Sequence, residues 1–245
     1  MNCRSALANG VRNSKTLNSE PTTLNFKTML KKSISELLGT FLLVFCGTGA
    51  CTVNEITNGS ITHVGIAITF GLVVSILIYA LGDISGAQMN PAVSIALWLG
   101  QKLDSVSMIV YVSVQIIGAI LASLFLHYLF PTSEFLGATL PSGSFQQSFI
   151  MEVILTFILM FVVVRVAIQE LKYQNLAGII IGFVVLLEAM FAGPICGASM
   201  NPARSIGPAL VSGHLGGIEI YIFAPIIGAI FGYFTAFFLN SKIGK

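Results

Sequence analysis

One ten-residue phrase is written twice in this chain: GAQMNPAVSI at 86–95 and GASMNPARSI at 197–206. The copies lie 111 residues apart and agree at Gly86/Gly197, Ala87/Ala198, Met89/Met200, Asn90/Asn201, Pro91/Pro202, Ala92/Ala203, Ser94/Ser205 and Ile95/Ile206. A second echo precedes each copy, SELLGTFLLVF from Ser35 and MEVILTFILMF from Met151. The chain is therefore two versions of one unit, and any fold must place both phrases in equivalent surroundings.

The surroundings are apolar. Runs at 34–53, 61–81, 106–130, 149–168, 176–193 and 218–239 are each long enough to span a bilayer, which takes about 20 apolar residues of helix. Only 9% of the 245 residues are charged and 55% are hydrophobic, against about 25% charged in a soluble domain. A soluble domain is excluded, and strand-like alternation, which a barrel would need, is missing. Three spans separate the two phrases. An odd number of crossings turns the second copy upside down, and inverted repeats place their working site near the bilayer midplane.

Within each phrase, Asn followed by Pro reads as a helix start, with Asn at the cap and Pro at the first helical position. The runs that follow, 92–99 and 203–211, are too short to span. Each phrase thus predicts a segment that dips into the membrane and a half-helix that returns. Non-helical backbone at that depth must be surrounded by protein or line a watery cavity. The small residues Gly86, Ala87, Gly197 and Ala198 let the two segments approach. Asn90 and Asn201 are expected to cap their helices through the side-chain oxygen and to point their amide N–H groups into the gap between them. Each helix N-terminus adds roughly half a positive charge. Such a gap accepts a neutral molecule with an oxygen lone pair and repels a cation, including a hydrated proton.

Arg204 stands where the first copy has Val93. The fold therefore does not require a base there, and a charge inside the membrane costs several kcal/mol unless it faces water or a partner. Two roles are open: a lumen-lining donor that raises the barrier to cations, or a structural partner of a buried carboxylate. The other Lys and Arg share one face: Arg4, Arg12, Lys15, Lys27, Lys31 and Lys32 before the first span, Lys102 between the second and third, Arg165 and Lys172 near the turn between the fourth and fifth, Lys242 and Lys245 after the sixth. Positive charge marks the cytoplasmic side, so both termini are expected there. The net charge of +2 gives no reason to expect a nucleic-acid partner. The first 27 residues are polar and lack the apolar core of a signal peptide.

From about residue 35 to 239 the sequence resembles the aquaporin, or major intrinsic protein, family, on the strength of the two NPA boxes, Asn90-Pro91-Ala92 and Asn201-Pro202-Ala203, the second extended to NPAR. The stretch AGPICGASMNPARSIGPALV is closest in flavour to nodulin-like intrinsic proteins. The resemblance implies an all-α membrane protein, a right-handed bundle of six tilted transmembrane helices plus two re-entrant half-helices built as an inverted repeat. It also implies a homotetramer with one pore per subunit, where an Arg and half-helix dipoles exclude protons. It assigns a selectivity filter to Phe70, Ala189, Ala198 and Arg204. Water channels of the family usually carry His where Ala189 stands, so a wider and less polar constriction is expected. Ser205 and Ala209 replace the Asp and Lys of dedicated glycerol channels, and Tyr221-Ile222 lacks the water-channel Trp.

The expected function is a passive channel for water and small uncharged solutes of the glycerol or metalloid-acid type, in the plasma membrane, with no cofactor and no metal. A strict water channel is the near alternative and a coupled secondary carrier the distant one. An enzyme is not expected, because no Ser-His pair, HExxH or carboxylate dyad at the midplane supports one. The domain reading is a polar cytoplasmic tail at 1–32, a channel domain at 33–240 with repeats at about 33–130 and 145–240, and a C-terminus at 241–245.

Glu36 and Glu152 occupy matching places in spans one and four and are read as acceptors that hold the dipping segments. Glu188, where nodulin-like relatives often have Asn, has no assigned role; as a helix neighbour of Ala189 it points some 100° away from it. Asp83 is read as a solvated acid at the cytoplasmic mouth. Among the four cysteines, Cys3, Cys46, Cys51 and Cys196, the last is expected near the constriction and open to mercurials. Gly178/Gly182 and Gly228/Gly232 read as helix-packing contacts.

Overall fold

A computed structural model describes residues 26–168 and 174–240. The expectations that fall on Cys3, Arg4, Arg12, Lys15, Lys172, Lys242 and Lys245 lie outside the described residues. Among the described residues six helices are long and apolar enough to cross a membrane. In chain order the helices are α1 (Phe26–Ile56), α2 (Thr62–Ser85), the short α3 (Pro91–Leu99), α4 (Ser105–Leu129), α5 (Phe145–Val163), α6 (Ala177–Cys196), the short α7 (Pro202–Ser212) and α8 (Ile218–Asn240). A π-helical turn, Val164–Ile168, extends α5, and a 3-10 turn, Gln174–Leu176, leads into α6. No strand occurs among the described residues.

The helix ends follow from local chemistry. Asn90 and Asn201 cap α3 and α7 in extended backbone, each with Pro at the first helical position. Asp104 and Ser144 cap α4 and α5 through their side-chain oxygens. Gly86 and Gly197 close α2 and α6 in the left-handed region at φ 90° and 82°, a conformation that costs glycine nothing.

Packing repeats with the sequence. The pairs α1·α4 and α5·α8 match each other, as do α1·α2 and α5·α6. Each short helix docks on the last long helix of the other unit, α3 on α8 and α7 on α4. In a membrane, helices gain nothing from burying apolar surface against one another, so close approach at small residues takes over. A Cβ on Gly118 would stand 2.5 Å from the Leu37 carbonyl, and one on Gly228 would stand 2.3 Å from that of Val153. At the α2·α6 crossing, a Cβ on Gly71 would meet the Gly182 carbonyl at 2.7 Å, and one on Gly182 the Gly71 carbonyl at 2.5 Å. Two equivalent residues, 111 apart, touch each other reciprocally, as a two-fold axis between the units requires. Large apolar side chains such as Leu72, Ile76, Leu124 and Phe231 face outward.

Candidate pore

The two phrases meet at the centre. Asn90 Oδ1 accepts from the Ala92 N–H at 2.9 Å, and Asn201 Oδ1 from those of Ala203 at 3.0 Å and Arg204 at 3.4 Å. The amide nitrogens are not both free for the gap, as the sequence had suggested. Asn90 Nδ2 donates to the Met200 carbonyl and Asn201 Nδ2 to the Met89 carbonyl, each at 2.8 Å. This reciprocal tie locks one re-entrant segment to the other.

Both segments are held from behind by a buried carboxylate. Glu36 Oε1 accepts from the Gln88 N–H at 2.9 Å and Oε2 from the Met89 N–H at 2.7 Å. Glu152 does the same for Ser199 at 2.7 Å and Met200 at 2.8 Å. Both acids are 0% exposed. The restraint is needed, because Ala87, Met89, Ala198 and Met200 all sit at positive φ, between 42° and 54°. A non-glycine residue there is disfavoured unless its surroundings over-determine it. Glu36 also accepts from Ser85 Oγ at 2.7 Å and Gln115 Nε2 at 2.8 Å. Nothing in the sequence marked these two, since Ser and Gln in apolar helices have many uses.

Arg204 is 5% exposed, and its Nη1 donates to the Gly137 carbonyl at 2.6 Å. Its guanidinium carbon lies 5.0 Å from the centroid of the Phe70 ring. Among the described residues no carboxylate forms an ion pair with it, which removes the salt-bridge alternative. Gly137, at φ 72°, is the partner that sequence reasoning missed; a glycine amid the polar segment between α4 and α5 was its only signal.

Two cavities lie along the axis between the units. The larger, about 640 Å3, runs from Lys32, Lys102 and Gln174 past Gln88, Asn90 and Asn201. The smaller, about 330 Å3, opens toward Asn54, Glu55, His63 and Phe135. Four residues line both, namely Phe70, Ala189, Ala198 and Arg204. The boundary between the cavities is therefore made of the four positions that the resemblance singled out. Pro91, Ala92, Pro202 and Ala203 are buried at the starts of the short helices.

Three other expectations change or sharpen. Cys196 is fully buried, with its sulfur 3.6 Å from the Ala192 carbonyl, and lines neither cavity. Cys51 of α1 lines the smaller cavity beside Arg204 instead. Asp83 is exposed near the end of α2. Glu188 lines neither cavity.

Comparison with known proteins agrees with this geometry. The profile of the family described as Major intrinsic protein matches residues 23–235. A protein of Zea mays named Aquaporin NIP1-1 is 46% identical over 204 residues, covering 83% of this chain and 72% of its own. Nodulin-26 of Glycine max is 45% identical over 205 residues, covering 83% of this chain and 75% of its own. An X-ray structure of the aquaglyceroporin from Plasmodium falciparum superposes with a TM-score of 0.73 at 28% identity, over 88% of this chain and 97% of that one.

Proposed function

The chain belongs to the major intrinsic protein family and is an integral, multi-pass membrane channel that passes water and small neutral solutes passively, and from that premise we propose how its residues divide the work. Asn90 and Asn201 sit where the electropositive tips of α3 and α7 converge. One N–H of each amide is committed to the opposite segment, which leaves the other for the lumen. A permeating molecule exchanges hydrogen bonds with these donors, while a cation meets two helix N-termini and a guanidinium and loses its hydration shell without compensation. Glu36 and Glu152 hold the segments in their strained backbone. The organisation is a tail at 1–32, two inverted repeats at about 33–130 and 145–240 that together form the channel domain, and a short C-terminus at 241–245. Both termini face the cytoplasm of a plasma-membrane homotetramer.

Phe70, Ala189, Ala198 and Arg204 form the selectivity filter. The observation that carries this assignment is that these four residues alone are common to both cavities. Two of the four are alanines, so only Phe70 and Arg204 crowd the opening, and solutes larger than water, of the glycerol or metalloid-acid type, fit. The test is stopped-flow light scattering on reconstituted vesicles with water, glycerol and a metalloid acid, for wild type and Ala189→His. We expect glycerol flux in wild type and a loss of at least about tenfold in the variant, with water flux retained. Glycerol flux that passes Ala189→His undiminished contradicts the filter assignment.

A further inference from the structure

The two carboxylates that hold the re-entrant segments are not equally provided for. Glu36 receives two backbone N–H groups and two side-chain donors, from Ser85 and Gln115. Glu152 receives the two backbone N–H groups of Ser199 and Met200. Ser85 corresponds to Cys196, a much weaker donor, whose sulfur lies on the Ala192 carbonyl. Gln115, one turn before Gly118, corresponds to Pro225, one turn before Gly228, which has no donor at all. The second half of the molecule has thus lost the amide donor and keeps only a weak thiol beside Glu152 in place of the hydroxyl.

Orphaned polar groups stand in the same region. Glu188 is 0% exposed and neither of its carboxylate oxygens has a partner. Ser148 Oγ and Tyr221 Oη are likewise buried and unpartnered. Their proximity follows from register. Gly228 faces Val153 and Gly232 faces Phe157, so α5 and α8 run parallel, four residues on one matching four on the other. Two turns back from Gly228 brings Tyr221 level with the turn of α5 that holds Ser148. Ser148 lies four residues before Glu152, on the same face. Glu188 and Tyr221 both lie within electrostatic reach of Glu152. Unpartnered oxygens on three helices thus stand in the neighbourhood of one acid. A buried polar group left without a hydrogen bond costs about 1–3 kcal/mol, whereas a buried water with two to four polar partners removes that cost.

We propose that Ser148, Glu188 and Tyr221 form a buried binding site for ordered water behind the second re-entrant segment, and that the bound water gives Glu152 the donors that Ser85 and Gln115 give Glu36. Glu188 is then a positioning residue: it acts through water and Glu152 on Ser199 and Met200, and so on Asn201 and Arg204. The inference rests on the pore assignment above for its functional consequence, but not for the water site itself.

Two measurements on the full-length protein test it. The first is an experimental structure at a resolution that shows ordered solvent. Solvent density within hydrogen-bond distance of the Glu188 carboxylate and of Tyr221 Oη is expected, and a dry site overturns the proposal. The second is stopped-flow permeability of Glu188→Leu and Glu188→Gln. The leucine variant is expected to lower water permeability about threefold and to change the glycerol-to-water ratio; the glutamine variant, which keeps a polar group for the water, is expected to recover most of both. A leucine variant equal to wild type, or a glutamine variant as impaired as leucine, overturns it. If Glu188→Leu does not assemble, Ser148→Ala/Tyr221→Phe replaces it, with loss of the solvent density as the expected result and unchanged density as the contrary one. A wild type that conducts neither water nor glycerol fails the pore assignment instead, and the solvent density still decides the water site.

Discussion

Arg204 shows how far a single residue carries and where it stops. Its contrast with Val93 in an otherwise repeated phrase announced a role beyond folding, and the structure gives it a carbonyl, an aromatic face and two cavities. Arg204→Val, which copies the first phrase, should keep water permeability but raise proton leak, measured by a pH-sensitive dye inside vesicles; an unchanged leak would remove Arg204 from the barrier. The two carboxylates were also legible, because acids in matching apolar spans need acceptor work. Their unequal partners were not, since a donor such as Gln115 comes from another helix. Glu36→Ala leaves two backbone N–H groups without an acceptor and takes one partner from Ser85 and from Gln115, which keep Ser35 and Ser94, and Glu152→Ala leaves the two backbone groups. At about 1–3 kcal/mol for each buried group, both variants should unfold at lower temperature in detergent, Glu36→Ala more so. Equal or negligible shifts would contradict their role as holders. Cysteine is the instructive failure. Distance along the chain put Cys196 near the constriction, but its thiol is buried against the Ala192 carbonyl and Glu152, and side-chain direction near a helix end is not readable from spacing. Mercurial block should therefore vanish in Cys51→Ser and persist in Cys196→Ser.

At the level of elements, all eight α-helices of the described residues were visible in the sequence, and the caps explain why. Asn-Pro fixes the starts of α3 and α7, and glycine fixes the ends of α2 and α6. The limits of α1 were less visible. It is already helical at Phe26, the first described residue and eight before the apolar run, because Lys27, Lys31 and Lys32 are good helix formers and need no burial. The π-helical turn after α5 had no signal at all. Glycine spacing did foretell close packing, though not its partners. Gly228→Ala drives a methyl group into the Val153 carbonyl and should destabilise the protein by about 1–3 kcal/mol. Gly216→Ala, where nothing lies within 4 Å, is the matched control and should leave thermal unfolding in detergent unchanged. Similar behaviour of the two variants would mean that the α5·α8 contact is looser than described.

At the scale of the whole molecule, one two-fold relation organises everything: Gly71 on Gly182, Asn90 on Met200 and Asn201 on Met89, all reciprocal. It was inferable because an odd number of spans separates two copies of one phrase. Departures from it, Arg204 against Val93 and Glu188 against Leu77, are where the proposed filter and water site lie. The central claim is that opposed helix tips and paired asparagines create a fixed path for neutral molecules rather than a carrier that alternates. Osmotic water permeability of reconstituted vesicles against temperature, with and without an imposed proton gradient, tests it most directly. The expected result is fast flux with a barrier close to that of water diffusing through water, indifferent to the proton gradient. Flux that saturates with solute, carries a steep temperature dependence and follows the proton gradient would contradict it.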